Sequence, residues 1–182
     1  MFILCPSCGK KSSDTANIAP SNDSLPDMRT TDIISFVSDS GLIRYKIITP
    51  EWLIYSKRNP TLWAFEKGIY LEKFDTLFNV DSSIKADTAY YHESKKIWEL
   101  RSNVQIRTQQ GDKFDTDLLF WDQNKAKIYS DHFIRIEQQP EDQIITGYGF
   151  ESNQEMTEYR IFNNTGSFIV EDKAPADSTQ NN

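Results

Sequence analysis

Cysteine and histidine are nearly missing from these 182 residues: there are two of each, Cys5 and Cys8, and His92 and His132. A zinc site begun by Cys5 and Cys8 would need two further ligands, and the histidines lie far away in separate segments, which counts against a metal or redox role. Positive charge is also short. Lys and Arg number 20 against 27 Asp and Glu, a formal charge of −7, whereas broad nucleic-acid binding needs a basic surface to replace counterions. No apolar run approaches the ~20 residues that span a bilayer as a helix. There is no G-x-S-x-G and no nucleophile motif matched to a base, so the chain reads as a non-enzyme without a cofactor.

Aromatic residues are abundant at 13%, with 11 Phe, 8 Tyr and 4 Trp, and they favour pleated surfaces. A pattern also repeats. Ile84-Lys85-Ala86-Asp87-Thr88-Ala89-Tyr90-Tyr91 matches Phe114-Asp115-Thr116-Asp117-Leu118-Leu119-Phe120-Trp121 at an offset of about 30. Past a polar loop in each unit, Trp98, Val104 and Ile106 fall over Ile128, Ile134 and Ile136. Apolar and polar residues alternate with the period of half-buried strands, so each unit reads as a hairpin-like pair. A weaker third copy places Ile48, Leu53 and Tyr55 over Ile84, Ala89 and Tyr91, and Trp63, Phe65, Ile69 and Leu71 over Trp98, Leu100, Val104 and Ile106.

Before the repeats, residues 33–38 and 42–49 read as a hairpin about the turn Asp39-Ser40-Gly41, with Pro50 marking a strand end or an edge. After them, the strand 143–150 carries glycines that signal a bulge or bend. Residues 156–162 and 167–170 read as two last strands. The polar segments 10–31 and 173–182 lack periodicity and predict disorder. The ordered domain is thus expected over 32–171, between a tether (1–31) and a tail (172–182).

Stacked hairpins predict an all-β, elongated antiparallel open jellyroll or sandwich. An apolar strip runs along it: Phe65, Ile69, Leu71, Ile84, Ala86, Ala89, Tyr91, Trp98, Leu100, Val104, Ile106, Phe114, Leu119, Trp121, Ile128, Ile134 and Ile136. Such a strip either closes on itself as a core or leaves a groove for an apolar guest, and periodicity does not choose. Asp87 and Asp117 recur because the repeat does, which makes them outward or turn positions and not a glycosidase pair.

The start, Phe2-Ile3-Leu4-Cys5-Pro6-Ser7-Cys8, resembles the lipobox of a bacterial lipoprotein, with Cys8 as the lipidated residue and 9–31 as a leash. The motifs Ser83-Ile84-Lys85-Ala86-Asp87-Thr88-Ala89-Tyr90-Tyr91, Ile97-Trp98-Glu99-Leu100-Arg101-Ser102-Asn103-Val104 and Thr116-Asp117-Leu118-Leu119-Phe120-Trp121-Asp122 come next in order. Lys127-Ile128-Tyr129-Ser130-Asp131 and Ile145-Thr146-Gly147-Tyr148-Gly149-Phe150-Glu151 follow. Together, over about 29–171, they resemble the LptC family of lipopolysaccharide-export periplasmic proteins, in the lipoprotein-type form of Bacteroides-like bacteria. The resemblance implies a twisted, boat-shaped β-jellyroll that accepts lipopolysaccharide from an inner-membrane ABC transporter and passes it to a periplasmic bridge of the same fold. Better-studied members carry a transmembrane helix at the start, so anchoring, expected at the inner membrane, rests here on Cys8.

On this reading the apolar strip is the lipid-binding interior. The first strand (Ile33, Phe36, Val37) and the last (Phe168, Val170) are edges for pairing with other β-proteins. Two other readings stay open. A carbohydrate-binding β-sandwich lipoprotein would use Trp63, Trp98 and Trp121 as exposed, coplanar platforms. A structural or adhesion module would have a closed core and no ligand.

Overall fold

A computed structural model describes residues 25–139 and 143–164. They form eleven strands: β1 (Met28–Asp39), β2 (Leu42–Tyr55), β3 (Leu62–Phe65), β4 (Ile69–Phe74), β5 (Val80–Ala86), β6 (Thr88–His92), β7 (Ile97–Thr108), β8 (Lys113–Asp122), β9 (Lys127–Gln138), β10 (Gln143–Asn153) and β11 (Tyr159–Asn164). The only helix among the described residues is one 3-10 turn, Glu93–Lys95. Every strand pairing is antiparallel, in one continuous sheet. The expected open β-jellyroll is what forms.

The sheet is folded into two walls because the long strands turn a corner. In β8, Phe114 and Thr116 are buried on the inner side, and so are Leu119 and Trp121. The step from Thr116 to Leu119 is three residues where a flat strand requires two, which is a bulge in the register. The extra residue rotates the strand while keeping its apolar side inward. The same three-residue step separates Ala86 from Ala89 and Gly147 from Phe150, the second through left-handed Gly149, and left-handed backbone at Ser102 and Asn103 marks the corner of β7. Residues before the corner in β2, β5, β8 and β10 pair with β4 and with the later halves of β7 and β9. Residues after it pair with β3, β11 and the earlier halves of β7 and β9. The walls meet across the interior: Phe114 lies 5.8 Å from Phe150 and 5.6 Å from Tyr159, centroid to centroid.

Hydrogen bonds that period-two reasoning cannot foresee hold the corners. The Thr116 hydroxyl donates within reach of the Leu118 carbonyl (3.3 Å) and the Phe133 carbonyl (2.8 Å). Thr49 does the same toward the carbonyls of Glu51 and Gly68, both at 2.9 Å. At the corner between β5 and β6, the Asp87 amide donates to the Ser102 carbonyl and the Asn103 amide bonds the Asp87 carboxylate.

Three expectations need correction. The third copy is out by one residue in its outgoing strand: Ile47, not Ile48, is in the core, and Trp52 and Ile54, not Leu53 and Tyr55, stand on the face of Trp63 and Phe65. Apolar residues occupy both faces there, and Leu53 and Ala64 are buried on the opposite side of the sheet. Pro50 ends nothing, because β2 runs through it at the corner. Order also begins before residue 32. β1 starts at Met28, where Asp27 accepts hydrogen bonds from the amide and hydroxyl of Ser56, and Arg29 pairs with Glu51. The turn at 39–41 is as expected, with Ser40 and Gly41 both left-handed.

Candidate functional site

The strip residues named from sequence all face one interior. Phe65, Ile69, Leu71, Ile84, Ala86, Ala89, Trp98, Leu100, Val104, Ile106, Phe114, Leu119, Trp121, Ile128, Ile134 and Ile136 form one buried cluster, and Tyr91 is half-buried against it. Most of them pack shut. Leu100, Val104, Leu119, Ile134 and Ile136 have no exposed surface. Between the walls near Met156 only about 20 Å³ is left, room for a single water and not for a chain.

Beyond Trp121 the interior opens. A cleft of about 450 Å³ is lined by Val37, Tyr45, Ile47, Trp63, Leu71, Tyr91, Trp98 and Trp121, with Asp39, Lys96, Gln123, Asn124 and Gln154 on its polar side. That volume is within the roughly 300–1,000 Å³ of small-molecule sites. Three of these rings, Trp63, Tyr91 and Trp98, belong to a longer chain of ring contacts: Trp52 to Trp63 (4.9 Å), Trp63 to Tyr91 (5.0 Å), Tyr91 to Trp98 (4.8 Å) and Trp98 to Phe65 (5.6 Å). Tyr45 crosses the interior to meet Trp121 edge-on at 5.4 Å. Burial raises the pKa of the Tyr45 and Tyr91 hydroxyls, so both stay neutral. Tyr91 donates to the Gln123 side chain at 3.2 Å. The indole N–H groups of Trp52 and Trp121 are buried without an acceptor among the described residues.

Trp98 and Trp121 are each only 5% exposed, and the neighbouring rings are tilted by 26–63°. They are not the exposed, coplanar row that a sugar platform requires. Sequence reasoning missed Tyr45, Ile47, Trp52 and Gln154 as parts of this region. Alternation signalled the first three, but the corner in β2 hid their phase.

The remaining residues singled out from sequence lie elsewhere. β1, with Ile33, Phe36 and Val37, pairs with β2 alone among the described residues, leaving its other side open. Phe168, Val170 and Cys8 are outside the described residues, within which β11 is the opposite edge. Asp87 and Asp117 are exposed at equivalent corners. His92 lies by Glu99 at 3.5 Å and His132 by Asp131 at 3.9 Å, and no metal-binding group of three occurs among the described residues. No helix among them is long and apolar enough to cross a membrane.

Two antiparallel walls, an apolar interior and one unsealed end define an all-β protein of the open-jellyroll class. The chain belongs to the lipopolysaccharide-assembly, LptC-related family, whose model matches residues 11–167. No curated protein matches it. Family membership assigns the protein to lipopolysaccharide transport, as a periplasmic, inner-membrane-associated transport and binding component.

Proposed function

We propose that the cleft beneath Tyr91, Trp98 and Trp121 receives acyl chains of lipopolysaccharide from the inner-membrane ABC transporter, and that the protein hands the lipid to a periplasmic bridge of the same fold. One observation carries the reading: among the described residues the apolar interior leaves about 450 Å³ at this end and only about 20 Å³ near Met156. Each methylene moved from water into it contributes ~0.8 kcal/mol. A chain end enters the cleft first, and passage further along the strip requires the walls to part at the small hollow by Met156. The open side of β1, at Ile33, Phe36 and Val37, offers unpaired backbone to a neighbouring β-protein, a role that the sequence also gives to Phe168 and Val170. Cys8, lipidated, holds the tether at the membrane in the lipoprotein-type manner.

The test uses two adjacent residues on opposite faces. Tyr91 lines the cleft, whereas Tyr90 lies on the outer face with its hydroxyl toward Glu66. A photo-crosslinking phenylalanine derivative at position 91 in cells is expected to capture lipopolysaccharide, and the same group at position 90 is not. Equal capture at both would remove the case for an interior path.

A further inference from the structure

Among the described residues the cleft has one cation. Lys96 is its sole basic lining residue, is exposed, and has no ion-pair partner among the described residues, whereas eleven other Lys and Arg side chains are paired with carboxylates. It occupies a left-handed backbone position (φ 52°, ψ 43°) at the end of the 93–95 turn, a place that favours glycine. Two stacked turns carry the same feature at Ala126 and Met156. Backbone bonds tie the turns together, Gln123 N–H to Lys96 C=O and Gln154 N–H to Ala126 C=O. The third turn folds Met156 into the interior and seals it. The first turn instead sets a lysine beside the opening.

Resting on the reading that the cleft takes acyl chains, we propose that Lys96 binds an anionic phosphate of the same lipid and so fixes its orientation, headgroup at the 93–96 turn and chains toward Trp98 and Trp121. Charge favours this side of the mouth over the other. The adjoining hollow carries Asp75, Asp81 and Glu155, and shares Asp39 with the cleft, against Arg44 and Lys73, and Lys73 already pairs with Asp81 at 2.9 Å. An anion is repelled there. Gln123 and Asn124 line the same side of the cleft, where the Asn124 side-chain amide donates to the Lys95 carbonyl at 2.9 Å and so ties the turn that carries Lys96. In a protein of net charge −7, an unpaired cation at the rim of an apolar cleft, single among the described residues, selects a ligand that is apolar at one end and anionic at the other.

Lys96→Gly removes the ammonium and suits the backbone. Purified protein is titrated with lipopolysaccharide and with the same lipopolysaccharide after enzymatic dephosphorylation. The expected loss for the phosphorylated lipid is about five- to tenfold, the range of one charge-assisted bond at an exposed site, shrinking in high salt. The dephosphorylated lipid is expected to bind both proteins alike, and Lys96→Arg to restore the difference. Lys85→Gln removes another exposed charge, on β5 away from the cleft and without an ion-pair partner among the described residues, and controls for net charge. If Lys96→Gly binds both lipids as the parent does, or if Lys85→Gln causes the same loss, the assignment of Lys96 is overturned while acyl binding stands. If the parent protein binds neither lipid, the acyl reading fails and this inference with it.

Discussion

Phe114 and Trp121 lie on one strand, either side of its corner, and meet opposite conditions. Phe114 is enclosed by Phe150 and Tyr159 from the facing wall, in the region where β8 to β11 close on one another. Trp121 is also buried, but it borders both the hollow of about 20 Å³ and the cleft of about 450 Å³. The corner is the same in each repeat; what differs is the side chain delivered by the adjacent turn. Met156 fills the space between the walls where Lys96 leaves it empty. A repeated scaffold can therefore hold a rigid core and an open site side by side, because turn residues vary without disturbing the corner.

The strongest way to break this comparison is to hollow out the sealed end. Phe114→Ala is expected to cost about 3–5 kcal/mol, read as a lower urea midpoint. Tyr91→Ala at the open end should cost clearly less but abolish acyl-chain binding, and equal losses of stability would erase the distinction. Met156→Ala is expected to destabilise by about 2–4 kcal/mol and to lengthen the cleft, so that longer acyl chains gain affinity per methylene. An unchanged chain-length dependence would show that Met156 is not the barrier. The shared corner comes next: Thr116→Val, which strips the hydroxyl from two carbonyls, should cost about 1–3 kcal/mol in the same urea experiment. No change in midpoint would mean that the bulge holds without it.

The smallest effect concerns the β1 edge. Hydrogen bonds from Lys67 and Arg29 hold the Glu51 carboxylate below its usual pKa, and those from Ser56 and Lys57 bring Asp27 to about 2. A depressed folded pKa stabilises at pH values above the unfolded one, and the contribution is lost as pH falls through the folded value. Acidification from the ordinary carboxylate range down toward pH 2 is therefore expected to loosen β1 before β8. Hydrogen-exchange protection factors, corrected for intrinsic rates, would show this as an earlier loss at residues 29–37 than at 114–121. Simultaneous loss would mean that these ion pairs do not pin the edge.

Much of the strip was legible because the spacing of Ile84, Ala86, Ala89 and Tyr91 recurs in Phe114, Thr116, Leu119 and Trp121, and recurrence carries the three-residue step along with it. The first copy was not legible in detail. Ile47 and Ile48, or Leu53 and Ile54, are equally apolar, and only pairing with Leu71 and Trp63 decides which of each faces inward. The order of residues 27–31 was hidden because the partners of Arg29 and Asp27, Glu51 and Ser56, are more than twenty residues away. Alternation and repetition are local properties, so the amino-acid order by itself determined the strands, the common corner and the side of the sheet that avoids water. Whether that apolar side closes or opens depends on how far apart two walls stand, and that distance is set by side chains from remote turns. Tertiary packing alone decided that Met156 would shut one end and that the rings under Lys96 would border a cleft.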